Sequence, residues 1–175
     1  FLYYEGQASD TLALYPDMSM RVFDRKTVTA QELLEAGVLN SYGFMYDPIL
    51  VRDGAIVESV ASSRIKGNNP RTGIGMVEPG HFVAIVVDGR QAKVKVDGET
   101  VPYSAGATMT ELAQLFLDEG CTVAYNLDGG GTAIMADASG AISRQSNSER
   151  RCSDILFIVE DYTAFWTRAG EEDGA

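Results

Sequence analysis

Three observations predict an α+β fold, a largely antiparallel or mixed twisted sheet with about two main helices packed on it. The apolar runs are short and bounded by Gly, Asp-Gly or Pro. Asp53-Gly54, Asp88-Gly89 and Asp97-Gly98 suit two-residue hairpin turns. Only two stretches carry helical period. Type I′ hairpins need positive φ at both central residues, which Asp-Gly supplies, and alternating βαβ units would need more helix than this.

The elements follow in order. Strands are expected at Leu12 to Tyr15, Met20 to Phe23, Ile49 to Val51, Ala55 to Val60, Phe82 to Val87, Lys93 to Val96, Thr122 to Leu127, Ala133 to Ala136 and Ile155 to Val159. Thr29-Ala30-Gln31-Glu32 has the Thr-x-x-Glu form of a capping box, Leu33 and Leu34 follow, and Gly37 supplies a stop. Thr108 and Glu111 repeat the box, Leu112, Leu115 and Phe116 recur at helical spacing, and Gly120 ends the run, which predicts a helix over 109–119. Polar stretches from Ser62 to Pro70 and from Ala138 to Arg151 read as loops.

At 175 residues the chain, 1–175, fits one domain, and 45% hydrophobic with 22% charged residues is a globular composition. A net charge of -11 argues against nucleic acid as a partner, because that binding is driven by phosphate neutralisation. No apolar run reaches the eighteen residues a membrane helix needs. Phe1 in place of Met implies a processed or excised chain. Cys121 and Cys152 lack zinc spacing. Either they pair, closing about 30 residues for roughly 3–4 kcal/mol, or they are two buried thiols.

The chemistry concentrates at Asn126-Leu127-Asp128-Gly129-Gly130-Gly131-Thr132. Asn126 and Asp128 are two apart at a strand end, so extended geometry points both side chains to one face. Three successive glycines cost backbone entropy and belong where φ is unusual or a ligand approaches the main chain. The competing reading is a hairpin with Asp128-Gly129 as its turn and Gly130 as a bulge. No Lys follows the glycines and no GxGxxG precedes a helix, which removes the nucleotide motifs.

Arg71-Thr72 and Arg90 flank the Phe82 strand, and Arg150-Arg151 follow later. A guanidinium fork suits phosphate, although on an acidic protein an Arg is also a solvated charge. Glu111 is divided between its cap, which accounts for it completely, and an acid, and Asp88 between a hairpin turn and an acid. Asp128 is the carboxylate whose neighbours are costly. Paired carboxylates serve glycoside cleavage. His81, the one histidine, opens a strand and cannot build a multi-His zinc site, and there is no GxSxG elbow or papain-like Cys context. Asp88, Asp128 and Asn126 offer oxygen ligands for Ca²⁺ or Mg²⁺ if a metal takes part; otherwise no cofactor is required.

An ordered series of segments, GFMYDPILVRDG (43–54), RTGIG (71–75), HFVAIVVDGR (81–90), GATMTELAQ (106–114), GCTVAYNLDGGGTAIM (120–135) and Glu149-Arg150, resembles the phosphodiester glycosidase domain family, that of the uncovering enzyme N-acetylglucosamine-1-phosphodiester α-N-acetylglucosaminidase and its bacterial relatives. The resemblance implies cleavage of the glycosidic C1–O bond of a sugar-1-phosphate diester, in an extracellular or cell-surface protein acting on cell-envelope glycoconjugates or exopolysaccharide. It implies catalysis by Asp128, Glu111 and Asp88. It implies substrate or phosphate binding by Arg71, Thr72, Arg90, Asn126, Gly129, Gly130, Gly131, Thr132, His81 and Arg150.

The family's Asn-Gly-Gly-Tyr/Phe-Phe strand does not occur here, so part of the site is expected either from a segment of the same precursor upstream of Phe1 or from another chain. Tyr46-Asp47-Pro48 stands where Gly-Pro is usual, a change read as loop variation. The rival functions are a noncatalytic glycan-binding module and a metal-assisted phosphodiesterase.

Overall fold

In the computed structural model, residues 9–44, 46–101, 103–146, 150–152 and 155–158 are described. The chain runs β1 (Asp10–Leu14), β2 (Met20–Phe23), α1 (Ala30–Glu35), β3 (Asn40–Phe44), β4 (Ile49–Arg52), β5 (Ala55–Ile56), a 3-10 turn (Glu58–Ala61), β6 (Arg71–Glu78) and β7 (His81–Val87). There follow β8 (Val94–Val96), β9 (Glu99–Val101), α2 (Met109–Asp118), β10 (Val123–Asn126), a second 3-10 turn (Gly130–Thr132), β11 (Ala136–Asp137) and β12 (Gly140–Ala141).

The main sheet has the order β5-β4-β10-β6-β7, and a second sheet the order β2-β1-β3; each described strand pair is antiparallel. The fold is therefore α+β and mostly sheet.

Both predicted caps form. Thr29 and Thr108 each accept from the main-chain N–H three residues on, while Glu32 and Glu111 reach back to the cap N–H. The Asp-Gly pairs at 53–54 and 97–98 have both φ values positive, as the type I′ turn requires. β6 and β7 turn instead through Pro79-Gly80, with Gly80 at φ +85 and Glu78 facing His81.

Two apolar layers hold the sheets. On one face of the main sheet α2 buries Met109, Leu112, Ala113 and Phe116 against Leu50, Val51 and Ala124. On the other, Leu12 and Met20 of the small sheet meet Ile49, Met76 and Tyr125. Phe116, fully buried, contributes about 1.5–3 kcal/mol by leaving water. It fits because β6 presents glycine beneath it: a Cβ on Gly73 or on Gly75 would lie 2.7 Å from its ring. The alternation of RTGIG is thus set by helix packing.

Tyr125 links the layers by polar contacts, its hydroxyl donating to the Asp10 carbonyl at 2.8 Å and accepting the Phe44 N–H at 2.9 Å.

Several expectations are corrected. Val57 to Val60 leaves the strand for a 3-10 turn, and Ala133 to Met135 precedes the short β11. The strand over 71–78 was unforeseen because its glycines break the apolar pattern. No strand is formed over 155–158, and Val159 lies outside the described residues. Asp88-Gly89 is no hairpin, since neither residue has positive φ and the chain continues to Gln91, which bridges to Ser104. Cys121 is buried and Cys152 exposed, and they are not joined.

Candidate functional site

The glycine loop begins where β10 ends, so Asp128 leaves the strand and its direction is set by the loop and not by strand alternation. Gly129 passes so near Pro70 that a Cβ there would come 2.6 Å from the Pro70 carbonyl oxygen. Gly130, at φ +65, donates its N–H to that oxygen at 3.0 Å. Gly89 and Gly106 converge on the same peptide: a Cβ on Gly89 would meet Pro70 N at 2.9 Å, and one on Gly106 would overlap the Asn69 carbonyl. Asn69-Pro70 is therefore gripped by three segments that can approach only because they lack side chains.

This junction floors a cleft of about 390 Å³ whose lining includes Asn69, Arg71, Arg90, Asn126, Asp128 and Arg150, together with Gly129 to Gly131. The expected Asn126, Asp128, glycine loop, Arg71, Arg90 and Arg150 thus come together. Arg150 donates to a carboxylate oxygen of Asp128 through Nη2, and its N–H donates to the Gly131 carbonyl at 3.1 Å. The other Asp128 oxygen accepts the Gly129 N–H at 2.9 Å. Both oxygens are thereby oriented, while the side chain stays 44% exposed to the cleft.

Arg71 is 3% exposed. It donates Nε to the Ala107 carbonyl at 2.9 Å and Nη2 to the carbonyls of Ile65 and Gly67, so two of its hydrogen bonds pin the 62–70 loop and the third ties it to the segment before α2. Burial pushes its guanidinium down to about 10, and the Arg90 charge adds to the shift. Arg90 donates to the Asn69 Oδ1 from a left-handed backbone, φ +52. Among the described residues neither arginine has a carboxylate in ion-pair contact. Two unneutralised cations at one cleft favour an anion there. Asn126 is 2% exposed and its Oδ1 has no hydrogen-bond partner among the described residues, a cost of about 1–3 kcal/mol that stability alone does not explain.

Other expected residues lie elsewhere. Glu111 is an exposed cap whose carboxylate is held below its usual range by the Thr108 N–H and hydroxyl, and it does not line the cleft. Asp88 lines a different cavity and accepts the Arg144 N–H at 2.9 Å, fastening the loop after β12. The Asp88–Asp128 metal pair is therefore split, and among the described residues no three His, Cys, Asp or Glu side chains cluster. His81 sits at the turn of the β6–β7 hairpin, the end opposite Arg71 and Val87.

Thr72 has a buried hydroxyl outside the cleft, and the Thr132 hydroxyl donates to the Gly129 carbonyl at 2.9 Å, stabilising the loop's turn. Glu149 lies outside the described residues. Phe44, Tyr46, Ile65, Asn69 and Pro70 also line the cleft; Phe44 and Tyr46 lie within a motif segment and Asn69 and Pro70 beside one, while Ile65 carries no such signal. Asp47, at φ +55, takes a conformation natural to glycine, which gives the Gly-Pro variation a physical reason.

The chain belongs to the phosphodiester glycosidase family, whose model matches residues 2–159. It is 32% identical over 155 residues to the SPbeta prophage-derived uncharacterized protein YomE of Bacillus subtilis (strain 168), covering 86% of this chain and 22% of that protein. It is also similar to the zebrafish N-acetylglucosamine-1-phosphodiester α-N-acetylglucosaminidase catalytic domain auto-inhibited by pro-peptide, with a TM-score of 0.59 and 21% identity over 87% of this chain and 51% of that one. The chain thus spans about a fifth of the curated relative and half of the solved domain. No helix among the described residues is long and apolar enough to cross a membrane.

Proposed function

We propose that this protein is a hydrolase that cleaves the glycosidic C1–O bond of a sugar-1-phosphate diester, releasing free sugar and leaving a phosphomonoester on the acceptor. Cell-envelope or extracellular glycoconjugates are its substrates, met outside the cell. The observation that carries the reading is the meeting, in one cleft, of two arginines without carboxylate partners, a glycine loop and the oriented carboxylate of Asp128.

Asp128 is the one carboxylate lining the cleft among the described residues, so the usual acid–nucleophile pair is not assembled by Asp88 or Glu111. The substrate does not demand the pair. When C1–O breaks, the electron pair passes to a phosphate oxygen, a leaving group that departs without a proton, and water supplies the new oxygen at C1. Arg90 and Arg71 meet the charge on the phosphate, and Asp128 stabilises the cationic C1 or takes the water's proton. Preorganised donors of this kind are worth on the order of 10² to 10³ in rate each.

The test is incubation with sugar-1-phosphate diesters in ¹⁸O-water. Label in the released sugar, and a fall of about 10² or more in rate for Asp128→Asn, are expected. Label in the phosphate, no free sugar from a range of sugars, or undiminished release by the variant overturns the proposal.

A further inference from the structure

The cleft has an apolar wall that bond cleavage does not use: Phe44, Tyr46 and Ile65. Tyr46 is held in an unusual way. Its φ is +77, in the left-handed region, and Asp47 follows at +55. A bulky residue there is an outlier that persists only where its surroundings over-determine it. They do so here. The Ser63 hydroxyl, from a residue 1% exposed, donates to the Tyr46 carbonyl at 2.8 Å. Phe44 meets the ring edge-on, with centroids 6.4 Å apart and planes at 77°. Pro48 is fully buried.

Yet Tyr46 remains 40% exposed. Burial gains little from such a ring, and a strained backbone that sets an aromatic side chain in the lining of a polar cleft fits a ligand better than a core. An aromatic face complements the C–H face of a pyranose, and the phenol can exchange hydrogen bonds with sugar hydroxyls.

We propose that Tyr46 is the sugar platform of the cleft, a specificity-determining residue on which the pyranose ring of a glycosyl phosphate stacks while the arginines and the glycine loop take the phosphate. The identity of the ligand rests on the function proposed above; the placement of the ring rests on the backbone and the cleft.

Calorimetric titration with a pyranosyl 1-phosphate and with inorganic phosphate, alongside diester kinetics, tests it. Tyr46→Ala is expected to weaken the pyranosyl phosphate and raise KM by about tenfold, with kcat and inorganic phosphate binding unchanged. Tyr46→Phe is expected to retain stacking. Tyr46→Gly relieves the positive φ, so its Tm should hold or rise while sugar affinity falls as for Ala.

Unchanged affinity in Tyr46→Ala, an equal loss for inorganic phosphate, or a Tm drop in Tyr46→Gly that parallels the lost affinity overturns the proposal. A wild type that binds the pyranosyl phosphate but releases no sugar from any diester defeats the hydrolase reading and leaves the platform standing. A wild type that binds neither probe defeats both.

Discussion

Two glycine-rich regions of this molecule look alike as strings and do different work. In β6, Gly73 and Gly75 are removed side chains: they make room for the Phe116 ring, and their backbone is ordinary strand. In the 129–131 loop, Gly129 lets the main chain reach the Pro70 carbonyl, Gly130 takes a left-handed φ, and the segment faces the cleft. The first kind of glycine serves the core and the second the site. What separates them is the atom that a Cβ would strike, an aromatic ring of a neighbouring helix or the backbone of the cleft floor.

The contrast can be broken most sharply at Gly129. Gly129→Ala must displace the floor, because the obstructing atom is main chain, and a shift near 1 Å there is expected to cost about 10² in hydrolysis, read as kcat/KM. Gly73→Ala should give the opposite outcome, a loss of about 1–3 kcal/mol in denaturant unfolding as Phe116 is pushed off, with activity per folded molecule retained. If the two variants behave alike, the distinction fails.

Away from both regions, Thr108→Ala is expected to cost about 1 kcal/mol of stability by opening the α2 cap, again without loss of turnover. The smallest effect concerns pH. Glu32 and Glu111 are held below their usual 4.5 by the cap N–H and hydroxyl, so the stability they lend is present above that value and is lost as pH falls through the lowered folded value. Asp17, Asp24 and Asp137 act with the same sign, and Asp10, pushed up by burial, acts against them. A Tm measured from pH 7 to 3 should decline below about 4.5, with Glu111→Gln flattening its share and leaving hydrolysis at pH 7 unchanged.

Local chemistry was legible wherever one short segment determines its own conformation. The two Thr-x-x-Glu caps, the Asp-Gly turns at 53–54 and 97–98 and the strand Met20 to Phe23 fall where the residues place them. The cleft was partly legible, because the costly run from Asn126 to Gly131 and the arginines announce it. What stayed hidden is long-range. Asp88-Gly89 reads as a hairpin until Gly106 and Pro70 are seen packed against Gly89, and β6 goes without an assigned element until Phe116 is seen above its glycines. Arg71 reads as a phosphate fork or a solvated charge, whereas three of its donors hold carbonyls of other segments. Glu111 reads equally as cap or acid, and only its place outside the cleft decides.

The convergence of Gly89, Gly106 and Gly129 on Asn69-Pro70 bears on how the chain reaches its final form. Contacts between positions this far apart in sequence close large loops, and their entropy must be met before they return any stabilisation, which makes such pairings late and slow. The hairpins and capped helices can form on local contacts alone. The cleft floor waits for four segments to arrive together, so recovery of activity on refolding should trail recovery of secondary structure.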